Sequence, residues 1–261
     1  MRTHLCAAAI LLLAVTAAAQ TPPPALPSCP ELAAALQAVA RNDARLSDWP
    51  NLARYREANR GLAAPAPNEA RVVFMGDSIT DSWPQPRFGE FFPGRPYILR
   101  GISGQTTPQM LLRFRRDVIA LSPKVVVILA GTNDISANTG PTTDEDIEGY
   151  LASMAELATA HGIKVVMSSI LPVGEYHVAA GGTPQTTTRP MARITAVNAW
   201  MKKYAAEHGH TYLDYFPAMI DEKGLLRADL SDDDLHPNAK GYQVMAPLAE
   251  AAVARALATK R

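Results

Sequence analysis

The strongest constraint on this fold is a row of five short apolar runs that begins after Arg71, at residues 72–75, 97–99, 125–129, 164–168 and 211–213. Each contains β-branched or aromatic residues and is followed by a turn with Gly, Asp, Asn or Pro, the pattern of strands. The clearest reads Val-Val-Val-Ile-Leu, apolar at every position rather than at every second one. A strand with no polar face is covered on both sides, as in a parallel sheet. Between the runs lie helical stretches at 108–121, 143–161, 190–208 and 238–260. Strands alternating with helices at this spacing predict an α/β protein with a three-layer α/β/α architecture. Ligands in such sheets bind beyond the carboxyl ends of the strands, so the turns there are where chemistry is sought.

The 261 residues, 48% hydrophobic and 19% charged, suffice for one sizeable core with an appendage. Lys+Arg 25 balance Asp+Glu 25, and no stretch is polybasic, so neither a nucleic-acid footprint nor an electrostatic membrane anchor is expected. At the start, Arg2 precedes an apolar run from Cys6 to Ala18 and the small residues Ala17-Ala18-Ala19. This is the pattern of a signal peptide cut near Ala19, which predicts a secreted or periplasmic protein; the run is short for a membrane span. Removing it leaves Cys29 as the one cysteine, so no internal disulfide is expected. Residues 20–65 read as a Pro-rich tether and a helical extension broken near Pro50, and 66–261 as the main domain. No other run is long and apolar enough for stable membrane insertion.

Four polar clusters fall at the expected ends. Gly76-Asp77-Ser78-Ile79-Thr80 follows the first strand. Its serine suits an exposed hydroxyl in a tight turn, or Asp77 or Ser78 simply caps a helix. Thr80 stands where the nucleophile elbow of α/β-hydrolases needs Gly, so that motif is absent. Gly101-Ile102-Ser103-Gly104-Gln105-Thr106 allows a turn with an outward N–H, or a plain loop and cap. In Gly131-Thr132-Asn133-Asp134, the asparagine can donate to a developing anion or form an Asx turn. In Asp233-Asp234-Leu235-His236-Pro237-Asn238, three-residue spacing lets one turn bring the Asp233 carboxylate to the imidazole. Pro237 keeps His236 out of helical conformation and is expected to open the last helix. The alternative, a solvated acidic loop with an exposed His236, sits less well with an acidic partner three residues before a histidine whose backbone Pro237 locks. The remaining histidines lack the spacing of a zinc site, and no metal is expected.

Taken in order, Gly76-Asp77-Ser78, Gly104, Gly131-Thr132-Asn133-Asp134 and Asp233-x-x-His236-Pro237 resemble the four blocks of the SGNH (GDSL-type) hydrolases, over about 190 residues from Arg71. The resemblance implies a flavodoxin-like fold with a five-stranded parallel sheet. It also implies Ser78 as nucleophile, His236 as general base, Asp233 as its orienting carboxylate, and an oxyanion hole from the Ser78 and Gly104 N–H groups and the Asn133 side chain. No cofactor is implied. This chain has Asp234 where the family often has Gly, which leaves open which of Asp233 and Asp234 faces His236. The segment 173–190 matches no family motif and borders the substrate pocket or is a surface loop. Asp77, Trp83 and Tyr176 are the candidates for contact with substrate.

The expected activity is a serine esterase acting on small-molecule or glycan esters, such as short-chain or O-acetyl esters of carbohydrates. The 7% aromatic content gives lipids no special support. A lysophospholipase or thioesterase is the alternative within the fold. A non-catalytic carbohydrate-binding protein would predict a lost catalytic residue, and a nucleotide binder would not place a carboxylate after the first strand. Oligomeric state is not legible.

Overall fold

The computed structural model describes residues 29–259. They form two compact units, divided between Ala44 and Arg45. The first holds the greater part of helix α1 (Cys29–Ser47). The second contains everything that follows, beginning with the short helix α2 (Arg56–Arg60).

The second unit is built on strands β1 (Val72–Gly76), β2 (Tyr97–Gly101), β3 (Val125–Leu129), β4 (Lys164–Ser168) and β5 (Thr211–Leu213). All pair in parallel, in the order β2-β1-β3-β4-β5. The helices between and after them are α3 (Ser78–Ser82), α4 (Thr107–Asp117), α5 (Thr132–Ile135), α6 (Asp144–Ala160), α7 (Gln185–Thr188), α8 (Met191–Glu207), α9 (Phe216–Met219) and α10 (Ala239–Ala258). Every strand lies where its apolar run predicts.

The apolar runs are explained by burial on both faces. Val73, Met75, Val126, Ile128, Val165 and Met167 belong to one core with residues of α4, α6 and α8, such as Phe114, Leu151 and Val197. Their chain neighbours Val72, Phe74, Val127 and Val166 belong to a second core with Tyr242, Met245 and Val253 of α10. The second unit is therefore a three-layer α/β/α sandwich.

Strand order places the topological switch point between β1 and β3, where a crevice opens beyond the carboxyl ends. Register sharpens this: Gly76 lies level with Gly101 on one side and with Leu129 on the other. Three polar turns thus leave the sheet side by side. Gly101 is demanded by close approach, since a Cβ there would meet Asp81 N at 2.3 Å.

The second unit begins earlier than residue 66. Helix α1 stops short of Pro50 as expected, but the residues after it are bonded to the domain. Gln105 Nε2 donates to Pro50 O and Gln109 Nε2 to Trp49 O, both at 2.7 Å. Arg100 Nε donates to Asn59 Oδ1 at 2.8 Å, and Tyr55 Oη donates to Gly101 O. These are side-chain bonds to backbone and amide groups, which leave no periodic trace in the sequence. The apolar run before Gln20 lies outside the described residues.

Candidate active site

Beyond β1 the chain turns sharply into α3. Asp77 caps the helix, its Oδ1 accepting from Ile79 N–H at 3.0 Å. The capping duty that the sequence leaves to either residue thus falls on Asp77, and the Ser78 hydroxyl is left for another partner. That partner is His236, whose Nε2 lies 2.9 Å from Ser78 Oγ.

His236 is held by its own turn. Asp233 Oδ1 accepts from the Leu235 and His236 N–H groups at 3.1 and 2.7 Å, and Oδ2 lies 2.6 Å from His236 Nδ1. A carboxylate can only accept, so the ring proton sits on Nδ1 and the Nε2 lone pair faces Ser78. Burial alone would raise the Asp233 pKa. The ring and backbone bonds from His236, its charge and the Leu235 N–H hold it well below the usual carboxylate range.

The choice between the two aspartates has a geometric answer. Asp234 takes the left-handed conformation, φ 65, which Asp tolerates better than most residues. It is buried, and its carboxylate accepts from His177 N–H and sits 3.0 Å from His177 Nδ1, while Gly174 N–H donates to its carbonyl. Asp233 faces His236, and Asp234 ties down the segment after β4. The last helix starts later than Pro237 suggests, because Asn238 makes the cap, accepting from Lys240 and Gly241 N–H.

The opposite wall comes from the other two turns. Gly104 has φ +78, and no group among the described residues accepts from its N–H. Asn133 is buried on α5, and its Nδ2 donates to Gln105 O at 3.0 Å, one of its two N–H groups. Beside it, Asp134 joins this turn to the start of α4, accepting from Thr107 N at 2.9 Å and Thr107 Oγ1 at 2.6 Å. Burial raises the Asp134 pKa, opposed by the Thr107 bonds. Arg113, fully buried, braces the same corner. It donates to Gly76 O at the end of β1, to Arg100 O on β2, and to Gln105 Oε1.

Ser78, Gly104, Asn133, Asp233 and His236 line one cavity of about 490 Å³, within the range of small-molecule sites. Sequence reasoning missed three residues around it. Arg87 and Arg189 also line the cavity. Arg113 hid within Arg-Phe-Arg-Arg-Asp, which reads as a solvated helix face. Its signal was its position on the apolar side, one residue before Phe114.

None of the three substrate-contact candidates is among the residues that line this cavity. Asp77 is completely buried, with Oδ2 lacking any partner among the described residues. Burial pushes its pKa to about 6, against the Ile79 N–H and His236 and with a further push from Asp134. Trp83 is buried among Phe74, Phe91, Phe92 and Tyr242. Its indole belongs to the core, because the turn into α3 aims it at β1. Tyr176 is not a lining residue either; its hydroxyl donates to Asp221. The segment 173–190 does reach the cavity, through Arg189. Among the described residues no His, Cys, Asp or Glu cluster could hold a metal ion.

Comparison with known proteins places this geometry in a family. A model of the GDSL-like lipase/acylhydrolase family matches residues 74–244. A solved structure of a GDSL-like lipase from Bacteroides thetaiotaomicron is 40% identical, with a TM-score of 0.72 over 79% of this chain and 98% of that one. An acetylxylan esterase from Xylanibacter ruminicola is 25% identical over 224 residues, 74% of this chain and 45% of that protein. The chain thus spans less than half the length of that relative. An acetylxylan esterase from Geobacillus stearothermophilus is 26% identical over 203 residues, 67% of this chain and 90% of that protein.

Proposed function

The chain belongs to the GDSL-like lipase/acylhydrolase family, and on that premise we propose that it hydrolyses carboxylic esters through Ser78, His236 and Asp233. The observation that carries the reading is the unbroken line from Asp233 Oδ2 to His236 Nδ1 at 2.6 Å and from His236 Nε2 to Ser78 Oγ at 2.9 Å.

A serine hydroxyl is a weak nucleophile until a base takes its proton. In the proposed cycle His236 Nε2 takes it as Ser78 Oγ attacks the ester carbonyl. Asp233 keeps the ring in the required tautomer and stabilises the imidazolium. The tetrahedral oxyanion is received by the Ser78 and Gly104 N–H groups and the Asn133 amide, donors already fixed by their turns. His236 returns the proton to the departing alcohol, leaving an acyl-serine. The same ring then deprotonates a water, which releases the acid and restores Ser78. The cycle uses no cofactor.

The substrate class we favour is short-chain or O-acetyl esters of carbohydrates. Two relatives are acetylxylan esterases, which supports a glycan. Secretion, through a leader cut near Ala19, is part of the same proposal.

The test is hydrolysis of p-nitrophenyl esters from acetate to octanoate by the wild type and by Ser78→Ala. Turnover is expected to be fastest on acetate and to fall by about 10³-fold or more in the variant. A preference for longer chains would move the substrate to lysolipids or thioesters. Equal rates in both proteins would overturn Ser78 as nucleophile.

A further inference from the structure

Two arginines that line the cleft have no carboxylate partner among the described residues. Arg189 follows α7 in the segment 173–190, and its residue is only 8% exposed. Its Nε donates to Thr132 Oγ1 at 3.2 Å, and one Nη donates to Gln185 Oε1 at 2.7 Å and Thr188 Oγ1 at 3.2 Å. Its other Nη has no acceptor among the described residues. Arg87, exposed, has its guanidinium 4.5 Å from the centre of the Phe88 ring and forms no ion pair among the described residues. Both line the cavity that holds Ser78 and His236.

This sets Arg189 apart from the other buried arginines among the described residues: Arg71, Arg100 and Arg113 each donate from Nε and from both Nη nitrogens to groups of the chain. Charges are seldom buried without a partner, because desolvation is costly. The nearest carboxylates do not accept from Arg189. Asp77 Oδ1 is given to Ile79 and both Asp233 oxygens to His236 and its turn. Their charges favour the guanidinium at a distance, while burial weakens it. The fork therefore keeps donors aimed at no group of the chain, and a guanidinium is shaped for a planar or tetrahedral oxyacid.

We propose that Arg87 and Arg189 form a subsite for an oxyacid group, carboxylate or phosphate, carried by the ester that this cleft cleaves. The inference rests on the esterase reading for the word ester, but the charge preference is a property of the cleft and can be measured without turnover. It also gives the segment 173–190 a task. Gly174 and His177 fasten its start to Asp234, beside the turn of Asp233 and His236, and Arg189 carries its end to the cleft.

The test is titration calorimetry on the full chain carrying Ser78→Ala, at low ionic strength, with trigalacturonate, glycerol 3-phosphate and xylotriose as probes. At least one anion is expected to bind about tenfold or more tightly than xylotriose, an advantage that shrinks at high salt as screening predicts. Adding Arg87→Gln should remove most of it, and Arg189→Gln more. Arg87 is exposed, so its variant decides if the buried substitution fails to fold. Binding of trigalacturonate alone identifies a carboxylate, and of glycerol 3-phosphate alone a phosphate. Equal binding of all three probes, or an advantage that survives Arg87→Gln, would overturn the subsite. Absence of hydrolysis by the wild type would count against the esterase reading and leave the binding comparison standing.

Discussion

Two hollows of nearly equal volume lie at opposite ends of one sheet, about 490 Å³ beyond the carboxyl ends and about 500 Å³ at the amino ends of β4 and β5. Both contain histidine and a cationic side chain. At the amino end Lys164 Nζ donates to Leu257 O and Thr259 O, and His208 Nδ1 lies 2.9 Å from Tyr204 O. These groups serve the chain's own backbone, Lys164 at the end of α10 and His208 at the end of α8. At the carboxyl end the polar groups bond to one another in series, and Gly104 N–H and Arg189 keep donors with no acceptor among the described residues. Volume does not separate the two hollows. The line of side chains bonded in series from Asp233 through His236 to Ser78 does; at the amino end the His210 and Thr211 side chains carry polar groups too, with no hydrogen bond to another group among the described residues.

The proposed roles make that contrast breakable. After Ser78→Ala, Asp233→Asn carries the largest expected effect, because an amide facing His236 Nδ1 favours the wrong tautomer. The loss in kcat should be about 10³-fold, below the ~10⁴ of a fully buried triad carboxylate, since the Asp233 side chain is 52% exposed. Steady-state rates on p-nitrophenyl acetate read this directly. A loss under tenfold would mean that the close Asp233–His236 contact orients nothing. Asn133→Ala comes next. Removing one oxyanion donor should cost about 10²-fold in kcat with little change in KM. A rise in KM alone would instead make Asn133 a ground-state contact.

How much of this was legible depends on what kind of signal each feature leaves. The strands were readable because burial on both faces demands an unbroken apolar run, as at 125–129. That Ser78, Asn133 and His236 lie around one cavity was readable because their turns sit at strand mouths or helix entries with Gly, Asn and Pro beside them. Trp83 misled because an aromatic near a serine can face a cleft or a core, and only the pitch of α3 decides which. Arg189 left no local signal at all. A single arginine in a Thr-rich stretch gains meaning only when the chain folds back so that its Nε meets Thr132. The early start of the domain was hidden for a related reason, since its bonds run from Gln105 and Gln109 to backbone carbonyls.

Asp77 offers a smaller effect, in stability rather than rate. Burial raises its pKa from the ordinary carboxylate range to about 6, so the native state holds a proton that the unfolded chain releases first. Below about pH 4 both states are protonated and no penalty exists. As pH rises from about 4 to 6 the unfolded state ionises alone and stability falls; above 6 the penalty is complete, on the order of 2–3 kcal/mol. Urea midpoints across that window should show the fall, and Asp77→Asn, which can still cap α3, should flatten it. An unchanged pH profile in the variant would mean that another group titrates there.

The smallest expected effect is the control that the comparison needs. His210 lines the amino-end hollow, where burial and then the neighbouring His208 lower its pKa, so it is largely neutral at pH 7. The five residues of β4 at about 3.3 Å each separate the two ends by roughly 16 Å, about two Debye lengths at physiological salt. His210→Ala removes a ring 6.1 Å from His208 and 6.0 Å from Tyr204, a contact worth about 1 kcal/mol or less. The thermal midpoint should drop by a few degrees at most. Because this hollow shares no lining residue with the one that holds Ser78, kcat/KM on p-nitrophenyl acetate should stay within about twofold, a difference of roughly 0.4 kcal/mol in the barrier. A tenfold loss with the fold intact would show that the two hollows are coupled, and the distinction drawn from their hydrogen bonds would fail.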